Sequence, residues 1–246
     1  YDKTGEYSVP YTWGTVGIFY NKTMVDDPVD SWDILWNPKY AGKILMFDNP
    51  RDAFGIAQKK LGLSYNSTDP AEWYAAAAAL KEQKPLVQAY VMDQIFDKMQ
   101  NGEAALAPYY AGDAARLVEE NDNIGFAIPK EGTNKFVDAL CIPTGAQHKA
   151  EAEAYINFLC DPEVALANIE YIGYSTPETA VREQLDPSIS QNEMYYPPQE
   201  ILDKSETFTL LPDDTSKMLD NLWVEVKSGG SGDTVTLIIV LSSFLV

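Results

Sequence analysis

Apolar positions along the chain alternate between two periods. Residues 16–21 (VGIFYN) and 43–47 (KILMF) are short β-favouring runs, and the spacing predicts further strands over 86–91, 104–109, 124–128 and 136–142. Between them the period lengthens. Residues 31–42 (SWDILWNPKYAG) read as a short helix begun at Ser31 and stopped before Pro38, and 51–62 as a helix with Gly62 after its end. In 68–85, Trp73, Ala76, Ala77 and Leu80 form an i, i+3, i+4, i+7 stripe. Asp69 can cap that helix, Pro70 suits its first turn, and Glu72 can complete a capping box. Helices are also expected over 93–100, from 112, over 150–160 and over 161–173, Asp161 and Pro162 starting the last of these. A final helix over 214–229 carries Met218, Leu219, Leu222, Trp223 and Val226 on one face. Strands alternating with helices predict an α/β fold, and no internal repeat is visible.

One strand breaks its own pattern. In NKFVDALCIP (134–143), Phe136, Asp138, Leu140 and Ile142 share one face, and Val137, Ala139 and Cys141 share the other. Both faces are otherwise apolar, as in a strand covered by helices on both sides. Asp138 must therefore stand at the strand's end, in water, or beside a positive group.

Composition narrows the partners. There are 18 Lys+Arg against 37 Asp+Glu, giving a net charge of −19 over 246 residues. Such a surface repels nucleic acid and attracts cations, although solubility alone accounts for acidity. Cys141 and Cys160 have neither metal-ligand nor CxxC spacing; they could pair in an oxidising compartment, but two buried free thiols are expected. The single histidine, His148, reads as solvated near a helix start, which excludes a His-rich metal site. No signal peptide is recognisable, so the chain reads as cytosolic or as a mature or trimmed form. GGSG (229–232) is a flexible linker by composition, and the apolar run after it is too short to span a membrane. That run is expected to pair with a sheet edge, where it could also join two copies of the chain.

Several blocks together resemble the spermidine/putrescine-binding proteins of bacterial ABC importers: YSVPYTWGTVGIFYN, SWDILWNPKYAGKILMFDNPRDAFGIAQKKLG, TDP, PKEGTNKFVDALCIP, INFLCDPEVA and IGYSTP. The likeness runs from about residue 6 to about residue 228 with order and spacing kept. It implies a periplasmic-binding-protein (type II) fold of two α/β lobes that trap ligand by hinge closure, at the periplasmic or extracellular face of the membrane. It further implies that residues 1–15 cross into the second lobe and 16–145 form that lobe, a mixed sheet flanked by helices. Residues 146–228 continue it and return to a first lobe, most of which this chain lacks; 229–246 are read as foreign to the family. Polyamine and the ABC permease subunits are the implied partners, with no cofactor, metal or nucleic acid. A chain without its first lobe is expected to bind weakly.

The resemblance also implies site residues. A polyamine needs aromatic walls for its methylenes and π-faces or carboxylates for its ammonium groups. Phe136 and Asp138 fall on an aromatic and an aspartate of the family's site, Phe136 replacing the usual tryptophan. Asn49 and Asp52 fall on two acidic contacts, so Asn49 offers only a neutral amide oxygen, with Asp48 available beside it. Tyr110 and Tyr174 match an aromatic wall and a ligand-contacting tyrosine. Taken without the resemblance, Asp52 is equally a helix first-turn acid and each tyrosine a half-buried core residue. Trp13 is placed near the hinge, and Trp32 and Trp36 in the core.

Two other chemistries fit parts of the pattern. Adjacent Tyr109 and Tyr110 could ligate ferric ion, as in related iron-binding proteins. Carboxylates among aromatics also describe a glycosidase site. With no G-x-S-x-G, P-loop or HExxH, the chain is expected not to be an enzyme.

Overall fold

The computed structural model of the chain describes residue 2 and residues 4–228. The expectations for Tyr1 and for the 229–246 segment lie outside the described residues.

The fold is a mixed sheet with helices packed on it. Val9–Asn21 (β1), Ile44–Phe47 (β2), Val87–Val91 (β3), Leu106–Tyr110 (β4), Ile124–Ala127 (β5) and Lys135–Leu140 (β6) form it. The order is β3-β2-β4-β1-β5, with β6 also paired to β1. β2 runs parallel to β3 and β4, whereas β1 runs antiparallel to β4, β5 and β6.

β1 does two jobs because it is 13 residues long. Its second half lies between β4 and β5 and is buried, with Ile18 and Phe19 0% exposed. Its first half pairs with β6 in the register Thr12↔Asp138 and Gly14↔Phe136, after a bulge between Pro10 and Thr12. On its other edge, Trp13 bridges Ser175.

The helices are Pro50–Lys60 (α1), Pro70–Gln83 (α2), Gln94–Gln100 (α3), Ala111–Glu120 (α4), Lys149–Leu159 (α5) and Pro162–Ile172 (α6). Single turns Thr179–Arg182 (α7), Pro187–Ser190 (α8) and Gln199–Leu202 (α9) precede Asp213–Ser228 (α10). The start signals act as expected. Asp69 accepts from the Ala71 N–H, and Asp161 from the Glu163 N–H, each with Pro in the first turn. Glu72 does not complete a capping box, because the Asp69 N–H donates to Ser67 Oγ instead. Ser31 starts the next expected helix, which forms as a 3-10 turn, Trp32–Trp36; Asn37 then caps a second, Pro38–Tyr40.

The main core joins the sheet to α1, α2 and α10. β2 is buried on both faces, and Phe54 of α1 and Trp73, Ala76 and Leu80 of α2 are 0% exposed. Burying a side chain such as Leu80 contributes about 2 kcal/mol. Trp32 belongs to this core and Trp36 packs half-buried against it.

Two expectations are corrected. β6 is not covered on both faces: its residues are half-buried and Asp138 is exposed, since β1 is its principal strand neighbour. Cys141, just beyond it, is consequently exposed rather than buried, and Cys160 is half-buried; both are free thiols. In the last helix, Leu219, Leu222, Trp223 and Val226 join the main core against α1 and α2, with Met218 half-buried beside them. His148 is exposed directly before α5, as its sequence context predicts.

Candidate functional site

β1 organises the site by holding β6 on one side and the 174–176 segment on the other. Phe136 lies directly opposite Gly14, and its ring sits where a Gly14 side chain would be: a Cβ there would come within 2.7 Å of the ring. Asp138, two residues on, lies opposite Thr12, whose hydroxyl donates to its carboxylate at 2.8 Å. Asp138 is thus in water and partnered by a neutral group.

Tyr174 arrives from the other side. Gly173 ends α6 at φ +77°, a left-handed conformation that favours glycine. The chain then turns so that Trp13 N–H donates to Ser175 O at 3.0 Å. Trp13 fixes the same junction, its indole donating to Thr176 O and its ring meeting Tyr196 edge-on. The Tyr174 ring covers Gly112, whose hypothetical Cβ would lie 2.3 Å from it.

The rings form a row. Tyr110 meets Phe136 edge-on at 5.5 Å between centroids, and Phe136 meets Tyr174 at 6.2 Å. Each end of the row carries a carboxylate. Tyr110 donates its hydroxyl to Asp52 at 2.9 Å, and Tyr174 donates to Asp113 at 2.8 Å. Neighbouring Tyr109 donates to Asp93 at 2.7 Å. The two adjacent tyrosines are therefore hydrogen-bond donors to different acids and do not present a converging pair of phenolates for iron.

Asp52 is the most constrained acid. Asn49 caps α1, its amide oxygen accepting from the N–H groups of Arg51 and Asp52, which sets Asp52 in the first turn. That task occupies the Asn49 oxygen expected to meet ligand. Asp48 does not substitute for it, because it is exposed and paired with Lys227 of α10. Asp52 itself is 6% exposed, and its Oδ1 is buried without a hydrogen-bond partner among the described residues. Burial pushes its carboxyl up to about 6; the Tyr110 hydroxyl, the Asn134 side chain and nearby Arg51 only partly oppose this.

Burial likewise raises Asp113, against the pull of the Tyr174 hydroxyl. Burial and neighbouring carboxylates raise the phenols of Tyr109, Tyr110 and Tyr174, keeping them protonated donors. Asp113 and Asp138 both act on Tyr174, so the acids converge on one region. Among the described residues, none of Asp52, Asp93, Asp113 and Asp138 pairs with a lysine or arginine. Arg51 turns away, donating to Asn66 and Thr209 and lying 4.6 Å from the Phe208 ring centroid. The result is an anionic, aromatic surface suited to an organic cation. A cavity of about 490 Å³ opens at its Tyr174–Asp113 end, walled also by Phe96, Tyr171 and Tyr195.

The model for bacterial extracellular solute-binding proteins matches residues 1–195. The chain belongs to that family. This solute-binding chain is 38% identical over 207 residues to the spermidine/putrescine-binding periplasmic protein of Escherichia coli strain K12, covering 84% of this chain and 60% of that protein. It is 30% identical over 245 residues to the putrescine-binding periplasmic protein SpuD of Pseudomonas aeruginosa strain UCBPP-PA14, covering 93% of this chain and 67% of the relative. Among solved structures it superposes on the Streptococcus pneumoniae spermidine/putrescine ABC transporter substrate-binding protein PotD with a TM-score of 0.85 and 33% identity, covering 92% of this chain and 70% of that one. The chain thus spans 60% of the length of the Escherichia coli relative.

Of the residues singled out in the sequence, the structure gathers Asp52, Tyr110, Phe136, Tyr174 and Asp138, and gives Asn49 to the helix cap. Thr12, Asp93, Asp113 and Asn134 were not anticipated. A weak signal existed for Asp113 alone: it follows Tyr110 by three residues, across a glycine.

Proposed function

We propose that this chain is the polyamine-recognising part of a substrate-binding protein that serves an ABC importer at the periplasmic or outer face of a bacterial membrane. Asp52 and Asp138 neutralise ammonium groups, Tyr110, Phe136 and Tyr174 wall the methylenes, and the loaded protein delivers its amine to the permease subunits. Its role is binding, in keeping with a family of solute-binding proteins, and not catalysis. Residues 1–15 are read as a crossover strand, and 16–145 as the second of two lobes that close on the ligand. The exposed, stacked rings of Tyr155 and Phe158 on α5 support a further lobe lying against that side.

One observation carries the proposal: a row of three rings flanked by carboxylates that, among the described residues, form no ion pair with a lysine or arginine. Four acids near one another repel, and a multiply charged cation relieves that repulsion while the rings desolvate its alkyl chain.

A thermal-shift panel tests it. Putrescine, cadaverine and spermidine are expected to raise the melting temperature in a concentration-dependent way that weakens with salt, and 1,4-butanediol is expected to leave it unchanged. No rise with any amine at millimolar concentration, or an equal rise with the diol, overturns the proposal.

A further inference from the structure

Two consecutive residues of β1 reach both flanks of the aromatic row. Trp13 takes one flank, its N–H donating to Ser175 O beside Tyr174. Thr12 takes the other. It is 4% exposed within a β-favouring strand, a position that valine would fill equally well by shape. A buried hydroxyl needs a partner to offset its lost hydration, and here the partner is the Asp138 carboxylate at 2.8 Å. The contact depends on register. After the bulge between Pro10 and Thr12, Thr12 stands directly opposite Asp138, and a slip of one residue would carry its hydroxyl to the other face of the sheet. The two partners differ in freedom. Asp138 is exposed, and an exposed side chain samples several rotamers that binding must freeze. Thr12 is buried and β-branched, hence stiff at χ1, so its hydroxyl donates from one place. It engages Oδ2 alone, and a carboxylate has further lone pairs for other donors. Being neutral, it leaves the charge of Asp138 uncompensated.

We propose that Thr12 is a positioning residue whose hydroxyl holds the Asp138 carboxylate in the rotamer that meets an ammonium group, before any amine arrives. This rests on the polyamine reading above and deepens it. The threonine touches Asp138 and acts on the ligand only through it. Its contribution is preorganisation: the rotamer freedom of Asp138 is given up on folding, so binding does not have to remove it. A lysine in the same place would also hold the carboxylate, but it would cancel the charge that attracts the amine. The same strand that seats the Phe136 ring over Gly14 thus fixes the acid two residues further along β6.

The experiment compares the unsubstituted chain with Thr12→Val, which exchanges the hydroxyl for a methyl of similar size, and with Thr12→Ser, which keeps the hydroxyl. NMR supplies two readouts: the Hα–Hβ couplings of Asp138 without ligand, and a titration with putrescine that reads affinities down to the millimolar range. The unsubstituted chain is expected to show the couplings of a single Asp138 rotamer, and Thr12→Val averaged ones. Putrescine affinity is expected to fall about fivefold in Thr12→Val, the cost of freezing one side chain on binding, and to return to within about twofold in Thr12→Ser. Rescue by serine separates positioning from packing, because serine restores the hydroxyl and not the lost methyl. Averaged couplings in the unsubstituted chain overturn the inference without recourse to a variant. Unchanged putrescine affinity in Thr12→Val, or an equal loss in Thr12→Ser, overturns it while leaving the polyamine reading intact. Failure of the unsubstituted chain to bind putrescine overturns that reading and this inference with it.

Discussion

The hydroxyl of Tyr110 donates to Asp52 at 2.9 Å across the start of α1, a neutral donor to a carboxylate that is 6% exposed. One neutral donor does not replace the water that Asp52 gives up on folding, so the folded protein prefers it protonated.

Its effect on stability follows from the direction of that preference. The carboxyl titrates near 6 in the fold against 3.8 ordinarily, so between those values the native state holds more protons than the unfolded chain. Stability should therefore fall as pH rises through this window, with the full cost present above it. Asp52→Asn removes the charge but keeps an acceptor for Tyr110. It is expected to raise the melting temperature at pH 7 by an amount worth up to about 3 kcal/mol, with the two proteins converging near pH 4. Thermal melts across that range check this; a gain as large at pH 4 as at pH 7 would show that desolvated charge is not its origin.

Glycine supports the rings. Gly112 lies beneath Tyr174 with 2.3 Å to spare for a Cβ, a distance no side chain tolerates. Gly112→Ala must push the ring away and break its bond to Asp113. The expected cost is about 1–3 kcal/mol, and amine affinity should fall with it. Tyr174→Ala in the same background separates the two effects. It removes the clash, so melting temperature should recover toward that of Tyr174→Ala alone, whereas binding should not. A Gly112→Ala protein that melts and binds like the unsubstituted chain would contradict the close approach.

These relationships explain which parts of the site could be read beforehand. Period-two alternation put Phe136 and Asp138 on one face, and the structure keeps them there, because alternation is a property of any strand. Their partners Gly14 and Thr12 depend on the antiparallel register and on the bulge between Pro10 and Thr12, neither of which is written in local sequence. Asp93 and Asp113 sit at the starts of α3 and α4, where acids are common for reasons unrelated to ligand. What marks them are the phenols of Tyr109 and Tyr174, 16 and 61 residues away. Asn49 shows the opposite case: its position suggested a ligand contact, while the Asn-Pro pair that opens α1 made it a cap. Cys141 was misjudged because an apolar strand reads the same whether one edge neighbour covers it or two sheets do.

Proton linkage gives the most direct solution test of whether Asp52 meets the ligand. An ammonium group placed beside Asp52 stabilises its ionised form, so binding near pH 6 should expel the proton that about half of the free molecules carry there. Calorimetric titration with putrescine in two buffers of different ionisation heat is expected to show net release approaching about half a proton per ligand at pH 6, and almost none at pH 8. Apparent affinity should weaken as pH falls below 6 for the same reason. Asp113 is also raised by burial and can add to the release, so Asp113→Asn should reduce the signal in part and Asp52→Asn should remove most of it. Binding heats that are independent of buffer at pH 6 would mean that the amine is held away from Asp52, and the Tyr110 end of the row would then be structural.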